Sequence, residues 1–266
     1  MPPSPKNFII LEKVDSTNNY AMGMVQKGSG NSGDAVFALE QSAGRGRREK
    51  TWTSTKGNNI MLSILMEMQW LSVSHQFRLS VAVSLACHDF FFKYSEHLTP
   101  RKADVKIKWP NDIFINDSKA GGILIENVIR GNIWQWSVIG IGLNINQEGF
   151  VKNGLRATSL KEITGETYDV VALARELHEA VLLNITDLQN GACQEMLADY
   201  NQNLYASNKT VKLKKGNVVF ETVIQSISSS GELITKDTIE RNFGFDEVEW
   251  VTLPLTPTSP PGGRGT

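Results

Sequence analysis

The sequence predicts an α/β (α+β) protein: a domain built on a mixed β-sheet, followed by a small β-barrel. Three observations carry this prediction. Over the first two hundred residues, apolar runs of strand length alternate with segments of helical period. After about residue 205 the texture changes to short strands separated by turns. The chain has 266 residues, 41% of them hydrophobic, enough for one substantial core and a small second one. The expected limits are 1–204 for the first domain, 205–253 for the barrel and 254–266 for a Pro/Gly/Ser/Thr-rich tail predicted to be disordered.

The elements follow in order. "FIILEKV" (8–14) reads as a strand, and "DSTNNYAMGMV" as a short helix with Asp15, Ser16 and Thr17 as N-cap candidates. "DAVFALEQ" and "NNIMLSILME" are apolar enough for buried strands. Residues 76–95 carry Phe77, Val81, Leu85 and Phe92 near helical spacing, while Leu79, Val81, Val83 and Leu85 also alternate as in a strand. Length favours a helix. "VKIKWPNDIFINDSKAGGILIENVI" reads as a strand, a Pro-Asn-Asp break and a hairpin turning at Asn116-Asp117-Ser118. "IWQWSVIGIGLNIN" is a further strand. Residues 169–190 and 192–203 are predicted helices, the first with Leu173, Leu177, Val181 and Ile185 on one face. "KTVKLKKG", "VVFETVIQSI", "SSSGELITKD" and "FGFDEVEW" supply the barrel strands.

Composition excludes several classes of function. A net charge of -1 argues against a dedicated nucleic-acid binder, which would carry a basic domain. Cys87 and Cys193 lack CxxC spacing, so they are expected to be buried free thiols in a reducing compartment. No apolar run reaches the length of a membrane span and the N-terminus lacks a signal-peptide pattern, which places the protein in the cytoplasm. His75, His88, His97 and His178 fall in no motif and carry no expected catalytic work; most of them are expected at the surface of helices or loops.

Four stretches carry chemistry. In "SAGRGRREKTW" (42–52), Gly44 and Gly46 permit close backbone approaches, and Arg45 and Arg47 present planar forks suited to carboxylate or phosphate. Trp52 can offer its indole to a flat ring. In "KIKWPND" the strand break lets Lys108, Asn111 and Asp112 project into a cleft, with Lys108 as an electrostatic clamp. In "SKAGGILIE" and "GIGLNIN", glycines 121, 122, 140 and 142 weaken otherwise apolar strands, as a close ligand or neighbouring backbone would require. Each stretch alone also has an ordinary reading: a solvated charge run, an edge-strand lysine, a bulge. Neither glycine motif is a P-loop or a dinucleotide fingerprint.

Taken together and in order, "DSTN", "EQSAGRGRREKTW", "KWPND", "KAGGILIE" and "GIGLNIN" resemble the catalytic core of biotin protein ligases, and the C-terminal strands resemble that family's small β-barrel, from about Phe8 to Val251. The resemblance implies a class II synthetase-like, biotin-lipoyl ligase fold with an SH3-like barrel. It implies that biotin and ATP form biotinoyl-5′-AMP and pyrophosphate, with Mg²⁺, and that biotin then passes to a lysine of a biotin carboxyl carrier protein domain. Two anions must meet in the first step, so cations are needed. By family pattern Lys108, Arg45 and Arg47 are the catalytic residues. Ser16, Thr17, Gln41, Gly44, Arg45, Lys108 and Gly122 would contact biotin. Arg47, Trp52, Asn111 and Asn144 would lie on the nucleotide side. The metal ligands stay unassigned. The arginine loop is expected to order over its ligand, because glycines and like charges do not order themselves without an anion. With about fifteen residues before "DSTN", a DNA-binding domain and a repressor role are not expected, and a homodimer and a monomer both stay open. Glu49-Lys50-Thr51 depart from the family loop. The rivals are a lipoate ligase or octanoyltransferase of the same fold, and a non-enzymatic nucleic-acid module.

Overall fold

The computed structural model of the protein describes residues 7–96, 103–150 and 156–251; the tail 254–266 and His97 lie outside the described residues. A seven-stranded mixed sheet forms the centre. Its strands are β1 (Phe8–Leu11), β2 (Ala35–Ala38), β3 (Asn59–Glu67), β4 (Val105–Lys108), β5 (Asp112–Ile115), β6 (Ser118–Arg130) and β7 (Ile133–Asn144), in the order β1-β2-β3-β7-β6-β5-β4. β1 and β2 are parallel and the other pairs antiparallel. The turn between β5 and β6 falls where the sequence placed it, with Asn116 and Asp117 both at positive φ, a geometry that Asn and Asp tolerate.

The sheet has two different faces because β-strand side chains alternate. On one, Ile60, Leu62 and Ile64 of β3 join Ile139, Ile141 and Leu143 of β7 in the main core under two long helices, α2 (Gln76–Ser95) and α4 (Val170–Gln189). The ambiguous stretch 76–95 is helical. Leu79, Val81, Val83 and Leu85 are all buried, so α2 is apolar around most of its circumference and its period is blurred. Asp169 caps α4, accepting from the backbone N–H of Val171 at 2.9 Å and of Ala172 at 3.1 Å. On the other face lie α1 (Thr17–Lys27), packed on Val36, Leu65 and Val138, and the floor made by Gly140 and Gly142. α3 (Leu160–Thr164) is a short helix that the pattern reading did not identify, although Ser159 caps it by accepting from the Glu162 N–H. α5 is Cys193–Gln202.

The C-terminal part is a five-stranded antiparallel sheet, order β11-β10-β9-β8-β12, from β8 (Thr210–Lys215), β9 (Val218–Ile227), β10 (Leu233–Lys236), β11 (Glu240–Phe243) and β12 (Glu249–Trp250). It shares one continuous apolar cluster with the central sheet, through Leu213, Ile224, Leu233, Phe243 and Val248. Trp109 is the joint: it is buried, its indole N–H donates to the Gly231 carbonyl at 3.0 Å, its ring stacks on Phe245, and its carbonyl accepts from the Trp250 indole.

Two expectations need correction. His88 and His178 are buried, not at the surface: His178 Nε2 is 2.8 Å from the Gly33 carbonyl and His88 Nδ1 is 2.7 Å from Asp89. Cys193 is half-buried rather than buried, whereas Cys87 is enclosed and burial pushes its thiol up.

Candidate active site

A cleft of about 600 Å³ opens on the α1 side of the sheet. Its walls come from the start of α1, the arginine loop, the β4–β5 break, β6, β7 and the β11–β12 segment of the C-terminal sheet. Most of the sequence-predicted residues line it: Ser16, Thr17, Gln41, Arg45, Arg47, Trp52, Lys108, Asn111 and Gly122.

Gln41 accepts from the Thr17 backbone N–H at 2.7 Å, joining the start of α1 to the strand leading into the arginine loop. That loop closes on itself: the Trp52 N–H donates to Gly44 and the Gly46 N–H to Lys50. Gly44 therefore shapes the loop backbone and does not line the cleft. Arg45 pairs with Glu126 of β6 at 2.8 Å. Arg48 adopts a left-handed φ of 52°, unfavourable for a side chain of its size, and is held there by Asp246 at 3.0 Å and Glu249 at 2.9 Å. Arg47 pairs with the same Asp246 at 3.1 Å and lies over the Phe245 ring. Asp246 and Glu249 thus set two carboxylates of the C-terminal part against the arginines of the loop.

Trp52 lies across Gly142. A β-carbon there would come within 2.7 Å of the indole, so β7 needs a glycine for the ring to sit on the floor. Gly142→Ala is expected to lift Trp52 and cost about 1–3 kcal/mol, the usual overpacking range, read as a lower urea midpoint at unchanged slope.

Of the three lysines that line the cleft, Lys50, Lys108 and Lys119, the last two differ in kind. Lys108 is 8% exposed, its ammonium boxed by Phe114 at 4.5 Å, Trp250 at 4.9 Å and Tyr205 at 5.5 Å. Burial pulls its pKa down to about 8, with Asp112 opposing the shift. Lys119, which the sequence reading did not select, has a side chain 38% exposed and pairs with Asp112 at 2.6 Å. Lys119 and Asp112 lie together over Gly122: a methyl group there would be 3.4 Å from both. Both ammonium groups belong to the cleft, Lys119 paired with Asp112 and more exposed, Lys108 enclosed by its three rings. The folded-state pKa of Lys108 lies below its unfolded value, so charging it weakens the fold below about pH 8 and the penalty fades as pH rises toward 10.5. Lys108→Met should therefore be stabler than the parent by about 1–2 kcal/mol at pH 7, after allowing for the lost ring contacts. The gap should close by pH 10.5 in urea titrations.

Asn111 and Asn144 are engaged elsewhere. The Asn111 amide donates to the Ile123 carbonyl at 2.8 Å, holding the β4–β5 break against β6. Asn144 does not line the cleft. Its amide donates to Thr158 at 3.0 Å and Lys119 at 3.4 Å, bracing the backbone that carries the Lys119 ammonium. Besides Lys119, the sequence reading missed Asn18, Ser63 and Glu126, and also Phe245, Val248, Glu249 and Trp250, which bring a far part of the chain to the cleft. "DSTN" and "SKAGG" held two of these in plain view. Nothing local marked the C-terminal ones.

Among the described residues no group of three or more His, Cys, Asp and Glu could hold a metal ion, and no helix is long and apolar enough to cross a membrane.

A family model described as the biotin/lipoate A/B protein ligase family matches residues 10–144, half of the chain. The chain is 29% identical over 231 residues to the bifunctional ligase/repressor BirA of Escherichia coli, covering 85% of this chain and 68% of that one. It is 35% identical over 162 residues to the biotin–[acetyl-CoA-carboxylase] ligase of Paracoccus denitrificans, covering 59% and 63%. Three further ligase/repressor relatives are matched over about half of their length or less. Among solved structures, the Aquifex aeolicus biotin protein ligase in complex with biotin and ATP is similar with a TM-score of 0.76 at 23% identity, over 92% of this chain and 98% of that one. The Leishmania major biotin protein ligase in complex with biotinyl-5-AMP gives 0.60 at 27% identity, over 91% and 100%. A mixed sheet with a glycine floor, a closed arginine loop and a matching family model together place the chain in the biotin/lipoate A/B protein ligase family, among whose members it is similar to the biotin protein ligases.

Proposed function

We propose that the protein is an ATP-dependent biotin protein ligase that forms biotinoyl-5′-AMP in this cleft and passes biotin to a lysine of a biotin carboxyl carrier domain. One observation carries the reading: a single cavity holds a neutral polar end at Thr17 and Gln41, a cationic region at Lys119, Arg45 and Arg47, and a flat indole at Trp52. These suit a cyclic urea, a carboxylate meeting a phosphate, and a base.

In the first step a carboxylate oxygen attacks the α-phosphorus, the bond to the bridging oxygen breaks, and pyrophosphate leaves. Lys119 offsets the charge where the two anions meet. In the second step the carrier amine attacks the acyl carbonyl, loses a proton, and AMP leaves. On this reading Ser16, Thr17, Gln41, Arg45, Lys108 and Gly122 surround biotin, Gly44 shapes the loop that holds Arg45, and Arg47 and Trp52 face the nucleotide. Phosphate oxygens and the carboxylates of Asp246 and Glu249 would compete for Arg47 and Arg48. The nucleotide thus exchanges one set of loop anions for another, and the closed loop shields the anhydride from water.

Mg²⁺ would accompany ATP, but the residues do not make a protein cage for it. Asp112 is engaged by Lys119 and Glu249 by Arg48. Mg²⁺ commonly binds through substrate phosphates and water. No step is assigned to it.

ATP–pyrophosphate exchange with biotin, lipoate and octanoate side by side tests the proposal. Biotin should support exchange about a hundredfold or more above the other two, since a site built for ring N–H and C=O groups rejects ligands lacking them. Equal or faster exchange with lipoate would make the protein a lipoate ligase instead.

A further inference from the structure

The ammonium of Lys108 is held by rings and not by a counter-ion. The carboxylate that acts on it, Asp112, is paired with Lys119 at 2.6 Å. Phe114, Trp250 and Tyr205 surround Lys108 Nζ at 4.5, 4.9 and 5.5 Å instead, and the residue is 8% exposed where it lines the cleft. The rings also meet one another, Phe114 and Tyr205 with centroids 4.9 Å apart and Tyr205 and Trp250 with centroids 5.9 Å apart. A ring face attracts a cation without neutralising it, whereas a carboxylate does both.

The backbone on either side of Lys108 fixes two of the three rings. The Ile107 carbonyl accepts from the Tyr205 N–H at 2.9 Å, and the Trp109 carbonyl accepts from the Trp250 indole N–H at 3.1 Å. Phe114 lies diagonal to Lys108 in the β4–β5 ladder, where Lys108 faces Asp112 and Lys106 faces Phe114. Each ring comes from a different part of the chain: Phe114 from the central sheet, Tyr205 from the segment between α5 and β8, and Trp250 from β12, where it pairs with Leu213. Through Trp250 the C-terminal sheet touches a cation that belongs to the central one.

We infer that Trp250 and Tyr205 are positioning residues for Lys108: with Phe114 they hold its ammonium in place and unneutralised, so that the cleft presents a fixed positive charge to the ligand's carboxylate. The C-terminal sheet then contributes to ligand selection through a ring that acts by way of Lys108. The use of that charge rests on the biotin reading; the holding of Lys108 by the rings does not. Water is what the box keeps away. With Trp250 cut back, the ammonium gains solvent and rotamers, and its pull on an anion is spread and screened. Burial draws the ionisation of Lys108 down to about 8, with Asp112 of β5 favouring the charge and Lys119 of β6, Lys50 of the loop and Arg156 opposing it. Burial is the largest of these effects, so opening the box raises the midpoint.

Two measurements on the full chain test it. In the ligand-free protein the Lys108 Cε and Nζ magnetic resonances should titrate with a midpoint of about 8. In Trp250→Leu the midpoint should rise above about 9, toward the ordinary lysine value, and Trp250→Phe, which keeps a ring face, should return it to within about half a pH unit of the parent. The second measurement compares the affinities of biotin and of biotinamide, its neutral amide, at pH 7 without ATP. The parent should prefer the carboxylate by about tenfold or more, and the preference should fade as pH rises through about 8. In Trp250→Leu the preference should fall about fivefold or more, with biotinamide affinity within about threefold of the parent, and Trp250→Phe should restore it. A merely structural role would weaken both ligands alike. Tyr205→Leu opens the box from its other side and serves if Trp250→Leu does not fold. An unmoved midpoint or a parent-like preference in the folded variants would overturn the inference. Shifted midpoints in a protein that binds neither ligand would leave the ring-held lysine standing and remove the biotin reading.

Discussion

Lys119→Ala is expected to lower the rate of biotin-dependent ATP–pyrophosphate exchange by about 10²–10³, the usual cost of removing one donor aimed at developing charge. The reason is geometric. Lys119 is half-exposed over the glycine floor at Gly122, its backbone is braced by Thr158, Arg156 and Asn144, and its ion pair with Asp112 aims the ammonium without burying it. An anion entering the cleft can therefore take over the ammonium with little reorganisation. Lys108, enclosed by three aromatic rings, cannot reach out without dismantling that box. Lys108→Ala should accordingly cost less in kcat than Lys119→Ala, although it disturbs the packing of Trp250 at the cleft wall. Biotin affinity should change by less than about tenfold in Lys119→Ala, since the polar end at Thr17 and Gln41 is untouched. Steady-state exchange kinetics of the two variants decide the matter, and a larger loss from Lys108→Ala would return the clamp to that residue.

The second large effect is on the fold itself. Trp109→Ala should destabilise the protein by about 3–5 kcal/mol, lowering the melting temperature by roughly 10 °C. Trp109 has 1% of its surface exposed and ties the central sheet to the C-terminal one: its ring stacks on Phe245, its indole N–H donates to Gly231, and its backbone carbonyl accepts from the Trp250 indole. Deleting the ring leaves a void between the two sheets and the Gly231 carbonyl without its indole donor. Because Phe245, Val248, Glu249 and Trp250 form one wall of the cleft, nucleotide binding should weaken along with stability. Scanning calorimetry with and without ATP measures both. Loss of stability with unaltered ATP affinity would show that the C-terminal wall is not part of the nucleotide site.

Much of the architecture is legible in the sequence because it depends on local pattern. Alternating apolar runs give β2, β3 and β7, helical spacing gives α4, and Asn116-Asp117 gives the β5–β6 turn. The glycines of β7 signalled a close approach, and one occurs, though the group that approaches is Trp52 rather than a ligand alone. Where periodicity blurred, at α2, the cause was burial on nearly all sides. The short α3 lacked the length to show a period, and its Ser159 cap was the only mark it left.

By itself the sequence determined the order of the glycine, arginine and polar motifs, and with it the fold class and the residue types of the cleft. Tertiary structure alone decided which lysine is enclosed by rings and which is more exposed, which amides are committed to the backbone, and that Asp246 and Glu249 meet Arg47 and Arg48 across about two hundred residues. The physical reason is that periodicity and turn chemistry act over a few residues, whereas burial and charge pairing depend on which distant segments the folded sheets bring into contact.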